Sequence, residues 1–231
     1  MCIRDRTGRI ILGLCTAAAF IATLASCDTN GRTERLHTGD LVFVGIPADY
    51  SIESGSMDEA IASSTGEAEG LNLIHVAIVE VEGDSTWIID ATVRHGVDRH
   101  PLDTFLTDFT LKDGSYPEFI IKRLKDDKEA SAYVENAKKF IGQPYDVHFL
   151  PDNGSMYCSE LVRDSYIGKD GSYVFESAPM NFKDADGEFP LYWRQLFALI
   201  ESSIPQGIEG TNPSEMSKSD ALRDVKAKLT E

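Results

Sequence analysis

Short apolar runs in the first half of the chain predict β-strands. Leu41–Ile46 follows a turn, and Ile74–Glu82 and Ser85–Thr92 flank the residue pair Gly83-Asp84. Apolar runs of this length bounded by turn residues are typical of strands, and a two-residue turn between two such runs predicts a β-hairpin. Phe119–Leu124 predicts one more strand.

The second half of the chain has the spacing of helices instead. In Lys128–Ile141 the apolar residues fall on one face, and Gly142 ends the segment. Strands gathered in the first half and helices in the second predict an α+β fold. In chain order, the predicted helices are Met57–Ser63, Lys128–Ile141, Ser159–Tyr166, Leu191–Ile200 and Lys218–Lys228, and residues 202–217 are predicted to be a loop.

The N-terminal segment has the pattern of an export signal. Arg4, Arg6 and Arg9 precede the apolar run Ile10–Leu24, which is short for a membrane span. The run ends in Leu24-Ala25-Ser26-Cys27, which resembles the lipobox of bacterial lipoprotein signals. The alternative is an ordinary secretory signal with an incidental cysteine.

The lipobox divides the chain into three parts. We expect residues 1–26 to be a lipoprotein signal peptide, residues 27–36 to be a polar tether with a lipid on Cys27, and residues 37–231 to form one domain. The protein would then be held in the cell envelope by its lipid, on the periplasmic or outer-surface face.

Charge and motif content limit the partners. The formal net charge is −16, and so acidic a chain is unsuited to nucleic acid or to anionic lipid surfaces. We find no spacing typical of zinc ligands and no phosphate-binding loop, so we expect neither a metal nor a cofactor. The expected partners are a small peptide or amide substrate and the membrane through the lipid anchor, with the protein a monomer.

Cysteine usage singles out one residue. The four cysteines are Cys2, Cys15, Cys27 and Cys158. The first two leave with the signal and Cys27 takes the lipid, so the mature protein keeps Cys158 as its unpaired thiol. An exported protein with one free thiol suggests a chemical role, although a buried core cysteine is the structural alternative.

Cys158 is predicted to lie at the start of a helix. Asn153-Gly154 upstream is typical of a turn, and Ser159–Tyr166 is helical. The free N–H groups and the positive dipole end of a helix N-terminus favour a thiolate, and the same N–H groups can hold a developing oxyanion. A nucleophilic cysteine needs this placement, and a core cysteine is also compatible with it.

Two polar residues inside apolar strands supply candidate partners. His75 interrupts one strand of the predicted hairpin, and Asp90 interrupts the other. If Gly83-Asp84 is the turn, Ala77 faces Asp90 and His75 faces Thr92, which places His75 and Asp90 diagonally on one face. A carboxylate in that position fixes the orientation of an imidazole, whereas a register slip of one residue separates the two.

Five segments in this order resemble the permuted branch of the NlpC/P60 cysteine-peptidase superfamily, the YiiX/YebB-like proteins. In ordinary members of the superfamily the cysteine segment comes first, whereas here it follows the others, as in a circular permutation. The resemblance extends over residues 36 to 200, and the segments are GDLVF from Gly39, HVAIV from His75, IDA from Ile89, GQPYD from Gly142 and YCSELV from Tyr157.

The resemblance implies a fold and a set of roles. The fold would be papain-like, with an antiparallel barrel-like sheet packed against helices. Cys158 would be the nucleophile, His75 the base and Asp90 the orienting residue, although relatives often have a longer Glu at this last position. Tyr145 would line the site and hold the oxyanion or the substrate, with simple packing as the alternative. The other histidines are interpreted as surface residues.

Three functions are compatible with these residues. The first is a hydrolase of the cell envelope that cleaves an amide bond in a wall peptide or a related small amide through an acyl-enzyme. The second is a lipid acyltransferase or thioesterase on the same fold, which a deep apolar groove at Cys158 would favour over a narrow polar cleft. The third is a lipoprotein that binds wall fragments without catalysis.

Overall fold

A six-stranded antiparallel sheet forms the centre of the protein. The computed structural model describes residues 33–230, and the sheet runs in the order β4-β3-β2-β1-β5-β8, with β6 and β7 forming a separate pair. The strands are β1 Leu41–Pro47, β2 Leu71–Glu82, β3 Ser85–Thr92, β4 Gly96–Pro101, β5 Glu118–Leu124, β6 Ala178–Pro179, β7 Glu209–Gly210 and β8 Leu222–Asp224.

Within residues 33–230, six helices pack around this sheet. They are α1 Met57–Thr65, α2 Leu102–Asp108, α3 Ala130–Lys138, α4 Cys158–Ser165, α5 Leu191–Leu199 and α6 Pro213–Ser217. The sheet and helices confirm the predicted α+β class, and the helices predicted near residues 57, 128, 159 and 191 are all present, though with shorter bounds in places. None of the helices within residues 33–230 is both long and apolar enough to cross a membrane.

The hairpin of β2 and β3 has the register predicted from its turn. Glu82 pairs with Ser85, and the paired positions continue to Ile78 opposite Ile89, where the ladder ends. Beyond this point β2 continues to pair with β1, and β3 with β4. The two strands therefore part at the end of the hairpin that carries His75 and Asp90.

A β-bulge lies next to His75. Val44 of β1 pairs with His75, but the next residue, Gly45, pairs with Leu73, so Ile74 is the extra residue on β2. Ile74 packs in the same core cluster as Ala77, whereas Leu73 and Val76 belong to the opposite face. His75 itself stays in the regular register with Val44, on the face that also carries Asp90, and the bulge brings Ile74 onto that same face.

Both faces of the sheet are buried. One face packs against α3 and α4 through a cluster that includes Leu41, Leu161 and Tyr166. The other packs around Phe105 of α2. A third, aromatic cluster joins α1 and α5 to the segment before α4 and contains Trp193. Burial of this extent accounts for most of the stability of the fold, at about 25 cal/mol per Å² of apolar surface.

The C-terminal prediction is wrong. Residues 218–228 were expected to form a polar helix, but Leu222–Asp224 is the strand β8, which pairs with β5 at the sheet edge. Leu222 is buried, and Asp224 lies 2.9 Å from Nζ of Lys122. Helix propensity is a weak preference, and pairing with an existing edge overrides it. The predicted loop 202–217 contains α6 and the short strand β7.

The first described residues lie against the sheet. The backbone N–H of Glu34 donates to the carbonyl of Lys226 at 2.7 Å, and its carboxylate pairs with Arg223. Nearby, the buried Arg123 donates to Oδ2 of Asp40 at 2.8 Å. This ion pair holds the start of β1 against β5. The predicted signal peptide, Cys27 and the first part of the predicted tether lie outside the described residues.

Candidate active site

Cys158 is the first residue of α4, as its sequence context predicts. Its thiol is free and its side chain is buried. The first N–H groups of any helix lack partners within the helix, so those at Cys158 and the next residues are left for other acceptors. The N–H of Tyr157 is the exception, because it donates to Glu160 at 3.4 Å.

His75 and Asp90 form a buried pair on the other side of the thiol. Nε2 of His75 lies 2.8 Å from Oδ2 of Asp90, and the two side chains are only 8% and 1% exposed. This bond leaves Nδ1 as the ring nitrogen available to Cys158. The two side chains lie on one face, as the hairpin turn predicts, but the predicted pairs of Ala77 with Asp90 and of His75 with Thr92 do not form, because the ladder ends at Ile78 and Ile89.

The charge state of His75 follows from these neighbours. Burial by itself lowers the pKa of the imidazolium, but the negative charge of Cys158 and hydrogen bonds to Asp90 and Cys158 outweigh it and raise the pKa to about 10. His75 is therefore protonated at neutral pH and positioned to pair with a thiolate. Phe109 packs on the imidazole with ring centroids 4.6 Å apart and keeps it from turning.

Tyr145 also reaches the site. The segment around it is held against the residues that lead into α4, because the N–H of Met156 donates to Pro144 and the N–H of Asp146 donates to Met156. Burial, and then the negative charge of Cys158, raise the pKa of Tyr145 well above its usual value. The phenol therefore keeps its proton and can donate a hydrogen bond beside the thiol.

A glycine permits this arrangement. Gly96, at the start of β4, has a φ of +69°, and a Cβ there would lie 2.3 Å from the carbonyl oxygen of Gln143. That same carbonyl accepts the N–H of Val97 at 2.8 Å. Only glycine lets the strand approach the loop that carries Tyr145 so closely.

Glu160 is a second acid held in its neutral form. It is buried on the first turn of α4, where burial, followed by repulsion from Asp146 and Asp164, raises its pKa to about 8. Residue motifs alone left open whether this side chain faces substrate or solvent. It faces neither, since it caps its own helix at Tyr157.

His100 contradicts its interpretation as a surface residue. Its side chain is 8% exposed, Nε2 lies 3.8 Å from Oδ1 of Asp90, and Nδ1 lies 3.9 Å from Oδ2 of Asp98. The polar strand β4 that carries it was not predicted, because Gly96–Pro101 is an edge strand with little apolar pattern. Pairing the residues of β4 with those of β3 places His100 opposite the buried Ile88, and this pairing is the signal that would have indicated the burial of His100.

Two recesses meet at Ile74. The first, which we call the apolar cavity, has a volume of about 60 Å³ beside Cys158. Its walls are mostly aromatic and aliphatic, with Tyr145 at the thiol, and they include Ile61, Phe149, Tyr157, Met180 and Trp193.

The second recess, which we call the polar groove, has a volume of about 440 Å³ and runs from Ile74 past Asp58. Burial raises the pKa of Asp58, while the nearby charge of His75 opposes that shift. Other charged residues along the groove are paired, as in Lys112 with Glu53 and Arg94 with Asp108.

A buried thiol at a helix start, next to a strand histidine that is oriented by a carboxylate, is the arrangement of papain-like cysteine hydrolases. Comparison with known families matches residues 35–226 to the family described as permuted papain-like amidase enzyme, YaeF/YiiX. The chain belongs to this family and is a cysteine hydrolase with a permuted papain-like fold.

A solved structure supports the fold. The protein described as metalloprotein yiiX from Escherichia coli O157:H7 is 21% identical, with a TM-score of 0.61 over 83% of this chain and 97% of that chain. Within residues 33–230 of this chain, no group of three or more His, Cys, Asp or Glu side chains is placed to hold a metal ion. A search of curated proteins gave no match.

Proposed function

We propose that this protein is a cysteine amidase in which Cys158 is the nucleophile, His75 the acid and base, and Asp90 the residue that orients His75. The observation that carries the proposal is the 2.8 Å bond between His75 and Asp90, which leaves Nδ1 of the imidazole for a thiol at the start of α4. The pKa of about 10 for His75 favours the thiolate–imidazolium pair at neutral pH.

The first half of the reaction forms an acyl-enzyme. The sulfur of Cys158 attacks the carbonyl carbon, and the carbonyl electrons move to oxygen. The backbone N–H of Cys158 and the hydroxyl of Tyr145 donate to that oxyanion. The carbon–nitrogen bond then breaks, and His75 gives its proton to the leaving nitrogen. The product leaves as the free amine, and His75 is left neutral.

The second half releases the acid. A water molecule attacks the thioester carbonyl while the now neutral His75 takes its proton. The carbon–sulfur bond breaks, the thiolate is restored, and His75 is again the imidazolium. Asp90 keeps the ring in one orientation through both halves, because its buried carboxylate stays bonded to Nε2.

The apolar cavity supports a small apolar acyl group. A volume of about 60 Å³ suits an aliphatic group of a few carbons, and its aromatic walls offer little to a charged one. The cavity is narrow, which favours an amidase over a lipid acyltransferase. Its lining is apolar, which is the property expected of the acyltransferase. Its shape favours a small amide or wall-peptide residue as substrate.

The apolar lining also supports a second candidate, in which an acyl group is passed from Cys158 to an alcohol or amine rather than to water. Both candidates share the acyl-enzyme and differ in the acceptor. Product analysis distinguishes them, since hydrolysis yields the free acid and transfer yields a new ester or amide.

Trapping the acyl-enzyme tests the proposal. The protein is incubated with wall digests and with envelope lipids, and its intact mass is measured. We expect an adduct on Cys158 that is absent in Cys158→Ser, which keeps the size of the side chain but is a weaker nucleophile. Iodoacetamide should alkylate Cys158 faster than a model thiol at neutral pH, and an unreactive thiol in the folded protein would contradict the proposal.

The proposed setting is the cell envelope, with the protein anchored by a lipid on Cys27. The support is the sequence Leu24-Ala25-Ser26-Cys27 after an apolar run. Protein purified from bacterial membranes should carry the added mass of a lipid, and Cys27→Ala should remove that mass and release the protein. An unmodified Cys27 on membrane-purified protein would refute the anchor.

A further inference from the structure

Three buried polar atoms around Asp90 have no hydrogen-bond partner. They are Oδ1 of Asp90 and both ring nitrogens of His100. Leaving a buried polar atom unpaired costs about 1–3 kcal/mol, and more for a charged group. Oδ1 of Asp90 and Nε2 of His100 lie 3.8 Å apart. Two unpaired polar atoms this close together in a buried site suggest a hydrogen bond that forms during the reaction.

The sheet register places His100 behind Asp90. On the ladder between β3 and β4, Asp90 faces Asp98 and Ile88 faces His100, so Asp90 and His100 are diagonal neighbours on one face. The same relation, in the neighbouring pair of strands, was predicted for His75 and Asp90. Asp90 therefore lies between two imidazoles.

The ring of His100 has little freedom to move elsewhere. It stacks on Phe105 with centroids 6.5 Å apart, and Phe105 also contacts His75 with centroids 6.3 Å apart. One aromatic ring thus packs against both histidines. A small rotation of His100 or Asp90 brings Nε2 and Oδ1 from 3.8 Å to within hydrogen-bond distance.

We propose that His100 is a positioning residue whose Nε2 donates a hydrogen bond to Oδ1 of Asp90 and so holds the carboxylate that orients His75. This inference rests on the proposed function and deepens it. With both oxygens bound, the carboxylate cannot turn away when His75 gains or loses its proton. His100 touches neither the thiol nor the substrate.

Asp98 is the competing partner for the same ring. It lies 3.9 Å from Nδ1, but its side chain is 44% exposed, whereas that of Asp90 is 1% exposed. A neutral imidazole has a single N–H to donate. Asp90 is stabilised more by that hydrogen bond than Asp98 is, because Asp98 can be solvated by water and Asp90 cannot. The donor therefore belongs on Nε2, toward Asp90.

The other charged neighbours of His100 are known from the packing. Asp90 faces it from β3, Asp98 from its own strand, and His95 from the turn before β4 with ring centroids 6.3 Å apart. His95 is itself bonded to Asp108 of α2 at 3.2 Å. This makes His95 a matched control, since it is an imidazole in the same region that does not face Asp90.

Two variants of His100 separate positioning from packing. His100→Phe keeps a ring of similar size without a donor, and His100→Gln keeps a donor. The rate of Cys158 alkylation by iodoacetamide is measured over a pH series, together with the downfield proton signal of the His75–Asp90 bond. We expect His100→Phe to slow alkylation about fivefold and broaden the signal, while His100→Gln stays within about twofold of the native rate. His95→Gln should match the native protein.

Several outcomes overturn the proposal. Equal slowing by His100→Phe and His100→Gln would show that only packing matters, and a native rate with a sharp signal in His100→Phe would show that Asp90 needs no second donor. If His100→Phe does not fold, nitrogen-15 spectra of the native protein decide, because an unprotonated Nε2 on His100 excludes the bond. If native Cys158 reacts no faster than free cysteine, the proposed function fails, and the spectra still decide the role of His100.

Discussion

The two halves of the site are built differently. The hairpin half consists of β2 and β3 with His75 and Asp90, and each of these strands is paired on its outer side, β2 with β1 and β3 with β4. The helix half consists of the start of α4 and the segment 144–157, which is held by a few hydrogen bonds such as that from Met156 to Pro144. Strand pairing along the backbone holds the hairpin half in place, whereas the helix half is held by a few individual hydrogen bonds.

The halves also differ in charge. In the hairpin half the pKa of His75 is raised, which favours a cation. In the helix half the pKa values of Tyr145 and Glu160 are raised, mainly by burial, and both acids keep their protons. The counter-ion of a Cys158 thiolate therefore comes from the hairpin, while Tyr145 and Glu160 in the helix half stay neutral.

Removing the cation should have the largest effect. His75→Ala takes away both the counter-ion and the proton donor, and we expect alkylation of Cys158 at neutral pH and amide turnover to fall about a thousandfold. The alkylation rate is measured by quenching the reaction at set times and recording the intact mass. Amide turnover is measured by the release of product. His95→Ala is the control, and a His75→Ala variant as reactive as the native protein would refute the division of charge between the halves.

Activity should also follow the ionisation of His75. Its folded pKa of about 10 lies above the ordinary 6.5, so the imidazolium persists through neutral pH and is lost as the pH rises toward 10. We expect turnover to stay high above pH 6.5 and to fall at least tenfold as the pH passes about 10. A loss of turnover with a midpoint near 6.5 would contradict the strong coupling to Asp90 and Cys158.

Removing the neutral donor of the helix half should have a smaller effect. Tyr145→Phe deletes one hydroxyl, and we expect kcat to fall about 10- to 100-fold with little change in KM, since an oxyanion donor acts on the transition state. Tyr173→Phe, at a partly exposed tyrosine under Arg163, is the matched control. An unchanged kcat would mean that Tyr145 only packs.

The raised pKa of Glu160 should make the free energy of unfolding depend on pH. Its folded pKa of about 8 lies above the ordinary 4.5, so its contribution is fully present below pH 4.5 and is lost as the pH rises through 8. We expect the free energy of unfolding to drop by several kcal/mol over this range, and Glu160→Gln to remove that drop. Glu135→Gln, at an exposed residue of α3, should keep it. Denaturant titrations at several pH values measure the difference.

The smallest effect concerns substrate choice. Ile61→Ala enlarges the apolar cavity at its α1 wall, and we expect a shift of about fivefold in kcat/KM toward longer acyl chains. A series of acyl anilides of increasing length measures this preference. Leu199→Ala, at a side chain that is 81% exposed on α5, should leave the preference unchanged. No shift in Ile61→Ala would place the acyl group elsewhere.

The hairpin half was predictable because its signals are local. The pair Gly83-Asp84 fixes the turn, and alternation of apolar residues fixes the register, so the placement of His75 and Asp90 on one face follows. The helix start at Cys158 is equally local, since a turn precedes a periodic segment. The bulge at Ile74 was not visible, because it depends on how β2 pairs with β1.

The parts that sequence missed depend on distant pairing. Strand β8 has a helix-like composition and becomes a strand through its contact with β5. Strand β4 is polar and ends in Pro101, so its edge position hides it, and the burial of His100 was missed with it. The two recesses are likewise formed by segments far apart in the chain.

The order of strands in the sheet has a consequence for how the enzyme becomes active. Strands β1 to β4 are neighbours both in the chain and in the sheet, so they pair through contacts of short sequence separation and can assemble early in synthesis. Cys158 comes later and meets His75 only when α4 docks. In the proposed mechanism, the thiol therefore gains its imidazolium partner only after α4 has docked on a sheet that is already formed.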